Sequence, residues 1–214
     1  MRMLVTAGPT REFFDTVRFI SNPSSGKMGY AIASEAANRG HTVVLVSGPV
    51  ALPSPSGVRV IPVVSAAAMF EESRTAFEGC DAAVMTAAVC DYRPSRTLEH
   101  KLKKRSRPRP ITLVPTRDIA AELGRAKGNR VLVGFAMEDQ NHHAHAEAKL
   151  HKKRCDAMVL NGIANVGGDR AEVEILRASG GWSPPMRGTK AKIASRVVDL
   201  VEQLVAERRG GGLD

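Results

Sequence analysis

Aromatic side chains are scarce in this 214-residue sequence: they make up 4% of it, with one tryptophan and two tyrosines. Proteins that hold single-stranded nucleic acid use aromatic rings as stacking platforms, so that mode of binding is disfavoured. Cysteine is sparse too. Cys80, Cys90 and Cys155 lie far apart, with no metal-like pairing, and their odd number argues against a disulfide framework. They read as reduced, partly buried thiols. No apolar run approaches the ~18 residues that a membrane span needs. The apolar stretch at the start is too short for a signal-peptide core and leads straight into Gly8-Pro9, so it reads as a first strand. The expected location is the cytoplasm, with no membrane partner.

Acidic residues are the remaining shortage. There are 22 against 31 lysines and arginines, a net charge of +9. Such a surplus points to an anionic partner, either nucleic acid or a phosphorylated small molecule.

Apolar residues make up 43% of the chain, enough for a substantial core. Met3–Ala7, Thr42–Val46, Val58–Val64, Asp81–Val89, Arg130–Phe135 and Asp156–Leu160 read as buried strands. Helical spacing runs over 26–39 with a C-cap at Gly40, and helices are expected at 66–77, 118–126 and 142–154. Residues 11–25 show no period. Ile111–Val114 is a short strand. Val173–Leu176, the turn Gly180-Gly181 and a return strand from Trp182 make a hairpin, and an amphipathic helix over 189–205 closes the chain. The expected fold is α/β: a doubly wound, mostly parallel Rossmann-like sheet with helices on both faces and a C-terminal β-hairpin plus helix. Residues 1–207 form one domain, with a flexible basic flap at about 94–110 and a disordered tail at 208–214. Ligands bind such sheets outside the carboxyl ends of the strands, so the loops after Ala7, Ala87 and Phe135 matter most.

Four segments carry candidate chemistry. Asn22-Pro23-Ser24-Ser25-Gly26-Lys27-Met28-Gly29 opens the first helix, where backbone N–H groups and the helix dipole can cradle phosphate. It is not a P-loop, because Met28 stands where Ser or Thr is needed, and no GxGxxG turn follows the first strand. A helix N-cap at Ser24 or Ser25 is the plainer reading. Ala87-Ala88-Val89-Cys90-Asp91 ends a strand in small residues, with Asp91 either an acceptor for ligand groups or a turn residue. Lys101-Leu102-Lys103-Lys104-Arg105 sits in the basic flap, where a lysine can close over polyphosphate or simply be solvated. Phe135 could line a base pocket or belong to the core, and Lys149 and Lys153 share one helix face. His142, His143 and His145 have no carboxylate or thiol at ligand spacing and read as an exposed helix start. These residues imply a nucleotide-like phosphorylated ligand and leave the reaction open.

Taken together and in order, Thr6–Glu12, Val17–Asn22, Ser24–Gly29, Val46–Val50, Ala87–Arg93, Lys101–Lys104 and Gly134–Ala136 resemble the phosphopantothenate–cysteine ligase family. The resemblance covers nearly the whole chain and weakens after Asn161. It implies that 4′-phosphopantothenate is activated by a nucleotide triphosphate to an acyl-nucleotide, with loss of pyrophosphate, and then coupled to cysteine. The bacterial look of Ser24–Gly29 and the Lys101 cluster favours CTP with Mg²⁺ over ATP; no residue is assigned to the metal. Catalytic roles fall to Asn22, Lys101 and Arg18, the last reaching phosphopantothenate in the other subunit of a homodimer. Nucleotide contacts are implied for Gly8, Ser24, Gly26, Gly29, Met85, Thr86, Ala87, Asp91 and Lys101. They extend to Arg117, Asp118, Ile119, Ala120, Phe135, Lys149, Lys153 and Asn161. Phosphopantothenate contacts are implied for Arg18, Asn22, Ala87, Ala88 and Asp91.

Many bacterial members follow a flavin-dependent decarboxylase domain. This chain starts at the ligase's first strand, so a stand-alone form without flavin and a separate decarboxylase are expected. Cys90 stands where members commonly have alanine or serine, Thr116-Arg117-Asp118-Ile119 replaces a usual Asn-Pro-Asp-Ile, and Pro23 replaces a frequent His or Phe. Two other classes compete. An NAD(P)-binding oxidoreductase would need a glycine turn directly after the first strand, and the long Pro9–Ser25 connection opposes it. A non-catalytic nucleic-acid binder would use Arg96–Arg109 in a salt-sensitive manner.

Overall fold

The computed structural model describes residues 1–162, 165 and 167–210. The first strand, β1 (Arg2–Ala7), is buried from Met3 onward. Its side chains alternate, with Met3, Val5 and Ala7 on one face and Leu4 on the other, the period of two that a pleated strand imposes. A short antiparallel ribbon follows, β2 (Arg11–Phe13) with β3 (Phe19–Ser21). Next come α1 (Lys27–Asn38), β4 (Thr42–Ser47), β5 (Val58–Pro62), α2 (Ala66–Glu78) and β6 (Ala82–Met85). A second ribbon pairs β7 (Tyr92–Pro94) with β8 (Leu113–Pro115). The chain continues through α3 (Ile119–Ala126), β9 (Val131–Glu138), α4 (His142–Lys152), β10 (Ala157–Gly162), β11 (Arg170–Arg177), β12 (Met186–Thr189) and α5 (Lys190–Gly210).

The main sheet has eight strands in the order β12-β11-β10-β9-β6-β1-β4-β5. From β10 to β5 all neighbours are parallel, and β11 and β12 are antiparallel additions. One face buries Ile32, Ala33 and Ala36 of α1 and Val197 and Val201 of α5. The other buries Met69, Phe70 and Phe77 of α2, Leu123 of α3 and Leu150 of α4. This is the doubly wound α/β architecture that the alternation of strands and helices predicts. Among the described residues no helix is long and apolar enough to cross a membrane.

Local signals hold at several ends. The N–H groups of Gly40 and His41 donate to Ala37 and Ala36 at 2.9 and 3.0 Å, the Schellman pattern that stops α1 where the sequence expects a cap. Elsewhere the structure differs. Strand β6 ends at Met85, short of the expected Val89, because residues 86–90 leave the ladder and bond to the end of β1 and the loop after it. Residues 11–25, without period, contain the β2–β3 ribbon. The return strand begins at Met186, not at Trp182, which makes only an isolated bridge to Leu176. Pro184 and Pro185 follow it, and proline has no N–H to give a ladder. Helix α5 runs through 208–210, where the tail was expected, with Arg208 and Arg209 held by Asp156 and Asp81. Residues 211–214 of that tail lie outside the described residues.

Candidate functional site

The sheet order reverses at β1: the chain builds β4 and β5 on one side, then crosses to β6 on the other. Crevices form outside the carboxyl ends of strands at such a switch point. A cleft of about 540 Å³ lies there, bounded by the ends of β1, β6, β9 and β10 and by the start of α1.

The start of α1 is open. Its cap residue is Gly26, at φ 74°, with no side-chain cap bond. The serines therefore do not cap the helix; Ser24 Oγ instead accepts the Gly26 N–H at 3.4 Å. The first intrahelical bond is Tyr30 N–H to Gly26 O at 3.1 Å. The N–H groups of Lys27, Met28 and Gly29 have no intrahelical acceptor, and all three residues line the cleft. Gly29 permits the close approach of α1 to the sheet: a Cβ there would stand 2.5 Å from Ala7 Cβ and 2.5 Å from Thr86 Oγ1. Gly8 is not part of the lining; it buttresses from below, its Cα 3.4 Å from where a Cβ on Gly26 would stand.

Asn22 faces the cleft and is fixed to the loop opposite. Its Nδ2 donates to Ala88 O at 3.2 Å and Val89 O at 3.0 Å. That loop is held on its other side by the end of β1 and the chain after it. Thr86 Oγ1 donates to Thr6 O at 2.5 Å, and the N–H groups of Ala88 and Cys90 donate to Gly8 O and Thr10 Oγ1 at 2.9 Å each. Met85, Thr86, Ala87, Ala88 and Asp91 line the cleft, whereas Cys90 does not. Its buried thiol points to Thr10 O and Ile20 O, and burial pushes its pKa up, so Cys90 is packing behind the loop.

The opposite wall carries charge in pairs. Asp118 caps α3 by accepting the Ala121 N–H at 3.1 Å, and the same oxygen holds Lys153 Nζ at 3.2 Å. Lys149 Nζ stands 2.6 Å from Oε1 of the buried Glu138, without hydrogen-bond alignment, and His145 lies 3.5 Å from the other oxygen. Arg117 lies over the Phe70 ring, 4.9 Å from its centroid, and 3.6 Å from Glu71. Ile119, Ala120, Phe135 and Asn161 complete this side, with Asn161 Oδ1 accepting from Asn165.

The cleft thus gathers most of the expected residues but not Gly8, Arg18 or Lys101. Arg18 lies at the β2–β3 ribbon, paired with Asp15 at 2.8 Å and donating to Leu102 O. Lys101 is exposed beside that anchor. Other cleft residues were assigned no contact from the sequence, among them Thr6, Thr116, Glu138, Asn165 and Lys190. Lys190 had one visible signal: a lysine in the first turn of a helix opposes the dipole. Among the described residues no group of three or more His, Cys, Asp and Glu is placed to hold a metal ion. Asp91 and Asp139 are cleft carboxylates with no protein partner among the described residues.

Fold and cleft define a doubly wound α/β protein with an open helix start and facing lysines in a cleft at a strand-order switch point. The chain belongs to the DNA/pantothenate metabolism flavoprotein C-terminal domain family, whose model matches residues 1–205. A protein named cysteine/cysteine sulfinic acid decarboxylase, from an unknown prokaryotic organism, is 43% identical over 210 residues, covering 95% of this chain and 58% of that protein. The coenzyme A biosynthesis bifunctional protein CoaBC of Bacillus subtilis (strain 168) is 44% identical over 176 residues, covering 81% of this chain and 43% of that protein. This chain spans about half the length of the curated relatives it matches. The crystal structure of the C-terminal domain of CoaBC superposes with a TM-score of 0.82 at 37% identity, covering 96% of each chain.

Proposed function

We propose that this chain is a phosphopantothenate–cysteine ligase of coenzyme A biosynthesis. The observation that carries the reading is a single cleft in which the open first turn of α1 and Asn22 face Lys149 and Lys153. The likeness to the CoaBC C-terminal domain supports it.

In this reading the carboxylate of 4′-phosphopantothenate attacks the α-phosphorus of CTP. A carboxylate–phosphorus bond forms, the bond to the β-phosphate oxygen breaks, and pyrophosphate leaves with the electron pair. The amine of cysteine then attacks the acyl carbon, CMP leaves, and the amine proton passes to water. No general base is needed for the first step, because a carboxylate of pKa about 4 is ionised at neutral pH. Rate comes from positioning and from positive potential around the phosphates. The first-turn N–H groups of α1 hold phosphate, with Ser24, Gly26 and Gly29 shaping them and Gly8 supporting them. Phe135, Ala120 and the chain around Arg117–Ile119 line the base end, with Lys149, Lys153 and Asn161 on the nucleotide. Asn22 orients the acyl group against the 87–91 loop. CTP is the favoured nucleotide and ATP the alternative.

Mg²⁺ bound mainly through phosphates needs only one or two protein carboxylates, and Asp91 and Asp139 fit that need. The ion would offset the charge of the triphosphate.

Arg18 lies outside the cleft of its own chain, which supports a homodimer in which it reaches phosphopantothenate in the other subunit's cleft, while Lys101 belongs to the flap that closes over the nucleotide. The exposed Val17 and Phe19 beside Arg18 supply apolar surface for such a contact. A flavin-dependent decarboxylase activity would take the product. The test is pyrophosphate release by the purified chain with CTP or ATP, 4′-phosphopantothenate and cysteine. Carbon dioxide release from cysteine without nucleotide would instead favour the activity in the first relative's name.

A further inference from the structure

We propose that Lys27 and Lys190 form a distal-phosphate subsite in this cleft, which takes the pyrophosphate portion of a nucleoside triphosphate, and that Asp169 is the carboxylate the incoming phosphate replaces on Lys27. The proposal rests on the nucleotide-binding part of the ligase reading.

Lys27 is the first residue of α1 and Lys190 the first of α5, and both line the cleft. An ammonium in a first helical turn faces the positive end of the dipole. Two helices here carry that opposition toward one place. Lys27 Nζ is satisfied by Asp169 Oδ1 at 2.6 Å and Gly167 O at 3.2 Å. The Asp169 side chain is 84% exposed, and an exposed ion pair of this kind is weak and easily exchanged. Lys190 is different. It is only 9% exposed, and its ammonium has no hydrogen-bond or ion-pair partner among the described residues. Burial first, and the charge of Lys27 second, push its pKa down, so the pocket disfavours the charged form as it stands. A polyanion between the two lysines turns their mutual repulsion into two attractions. The open N–H groups at the start of α1 supply further donors, which suits phosphate oxygens better than a single carboxylate. The backbone N–H of Lys190 donates to Asp169 O at 2.9 Å, so the competing carboxylate is anchored beside both lysines.

The test is calorimetric titration of wild type, Lys190→Met and Asp169→Asn with pyrophosphate, CTP and CMP, with ligase turnover measured in parallel. Lys190→Met keeps the apolar stem and removes the charge. It is expected to weaken pyrophosphate and CTP on the order of tenfold while leaving CMP unchanged. Asp169→Asn changes an exposed side chain that carries no packing, so its folding is secure, and it should tighten pyrophosphate by roughly threefold. Equal pyrophosphate binding by wild type and Lys190→Met, or equal weakening of CMP and CTP, overturns the subsite. If Lys190→Met does not fold, unchanged or weaker pyrophosphate binding by Asp169→Asn overturns it. Failure of the ligase reading looks different: no turnover, with Lys190-dependent pyrophosphate binding intact.

Discussion

The carboxylate of Asp15 accepts the backbone N–H of Leu102 at 3.0 Å, joining points 87 residues apart in the chain. It also accepts the N–H groups of Val17 and Arg18 at 2.8 and 2.7 Å, while the Arg18 guanidinium binds both Asp15 and Leu102 O. The basic segment that carries Lys101 is therefore tied to the β2–β3 ribbon.

This tie predicts a pH and mutational signature. Burial pushes the Asp15 carboxyl up, but the N–H groups of Leu102, Arg18 and Val17 and the Arg18 side chain outweigh it and hold the carboxyl well below the usual range. With the folded value depressed below the unfolded value of about 3.9, the stabilisation is fully present above that value and is lost as pH falls through the folded one. The wild-type segment should stay anchored from neutral pH down to about pH 4. Asp15→Asn should release it at neutral pH, read as tryptic cleavage within 101–105 that is faster by roughly threefold or more. Equal cleavage rates would show that the anchor does not order the segment.

Gly29→Ala should lower stability. The added Cβ meets Ala7 Cβ and Thr86 Oγ1 at 2.5 Å, and neither can swing away, so α1 must lift from the sheet. A loss of about 1–3 kcal/mol in chemical denaturation is expected. Because the lift also misplaces the first turn of α1, nucleotide binding should weaken with it. A stable variant with normal nucleotide affinity would contradict the packing account.

Asn22→Asp should stall the second half-reaction. Its Nδ2 bonds to Ala88 O and Val89 O would be replaced by carboxylate oxygens facing carbonyl oxygens. Turnover should fall about 10²-fold, with acyl-nucleotide accumulating in quenched samples analysed by mass spectrometry. Normal turnover would remove Asn22 from its role.

Lys149→Met separates binding from folding. It leaves the buried Glu138 without its close cation, so stability should drop by about 1–3 kcal/mol and the nucleotide KM should rise. Adding Glu138→Gln should restore stability and leave the KM high. Recovery of both would make Lys149 a purely structural partner.

Much of this was legible in the sequence for physical reasons. Short β-branched runs such as Thr42–Val46 favour largely buried parallel strands, and Gly40, at φ 82°, marks the end of α1 because a cap there needs its backbone freedom. The 11–21 ribbon was not legible: its strands are three residues long and half exposed, so no core imposes a period on them. Trp182 misled because a large aromatic directly after the Gly180-Gly181 turn looks like a strand start, whereas Pro184 and Pro185 behind it have no N–H to give a ladder. The cleft's floor was legible in Ser24–Gly29 and Ala87–Asp91, where small residues mark close backbone approach. The position of Lys101 was not, because it depends on Asp15, a contact 87 residues away.

The most direct measurement is pyrophosphate release by the purified chain in the presence of CTP, with and without 4′-phosphopantothenate. The account predicts release that requires 4′-phosphopantothenate, proceeds with CTP in preference to ATP, and ends in 4′-phosphopantothenoyl-cysteine when cysteine is added. Absence of 4′-phosphopantothenate-dependent pyrophosphate with both nucleotides would contradict it.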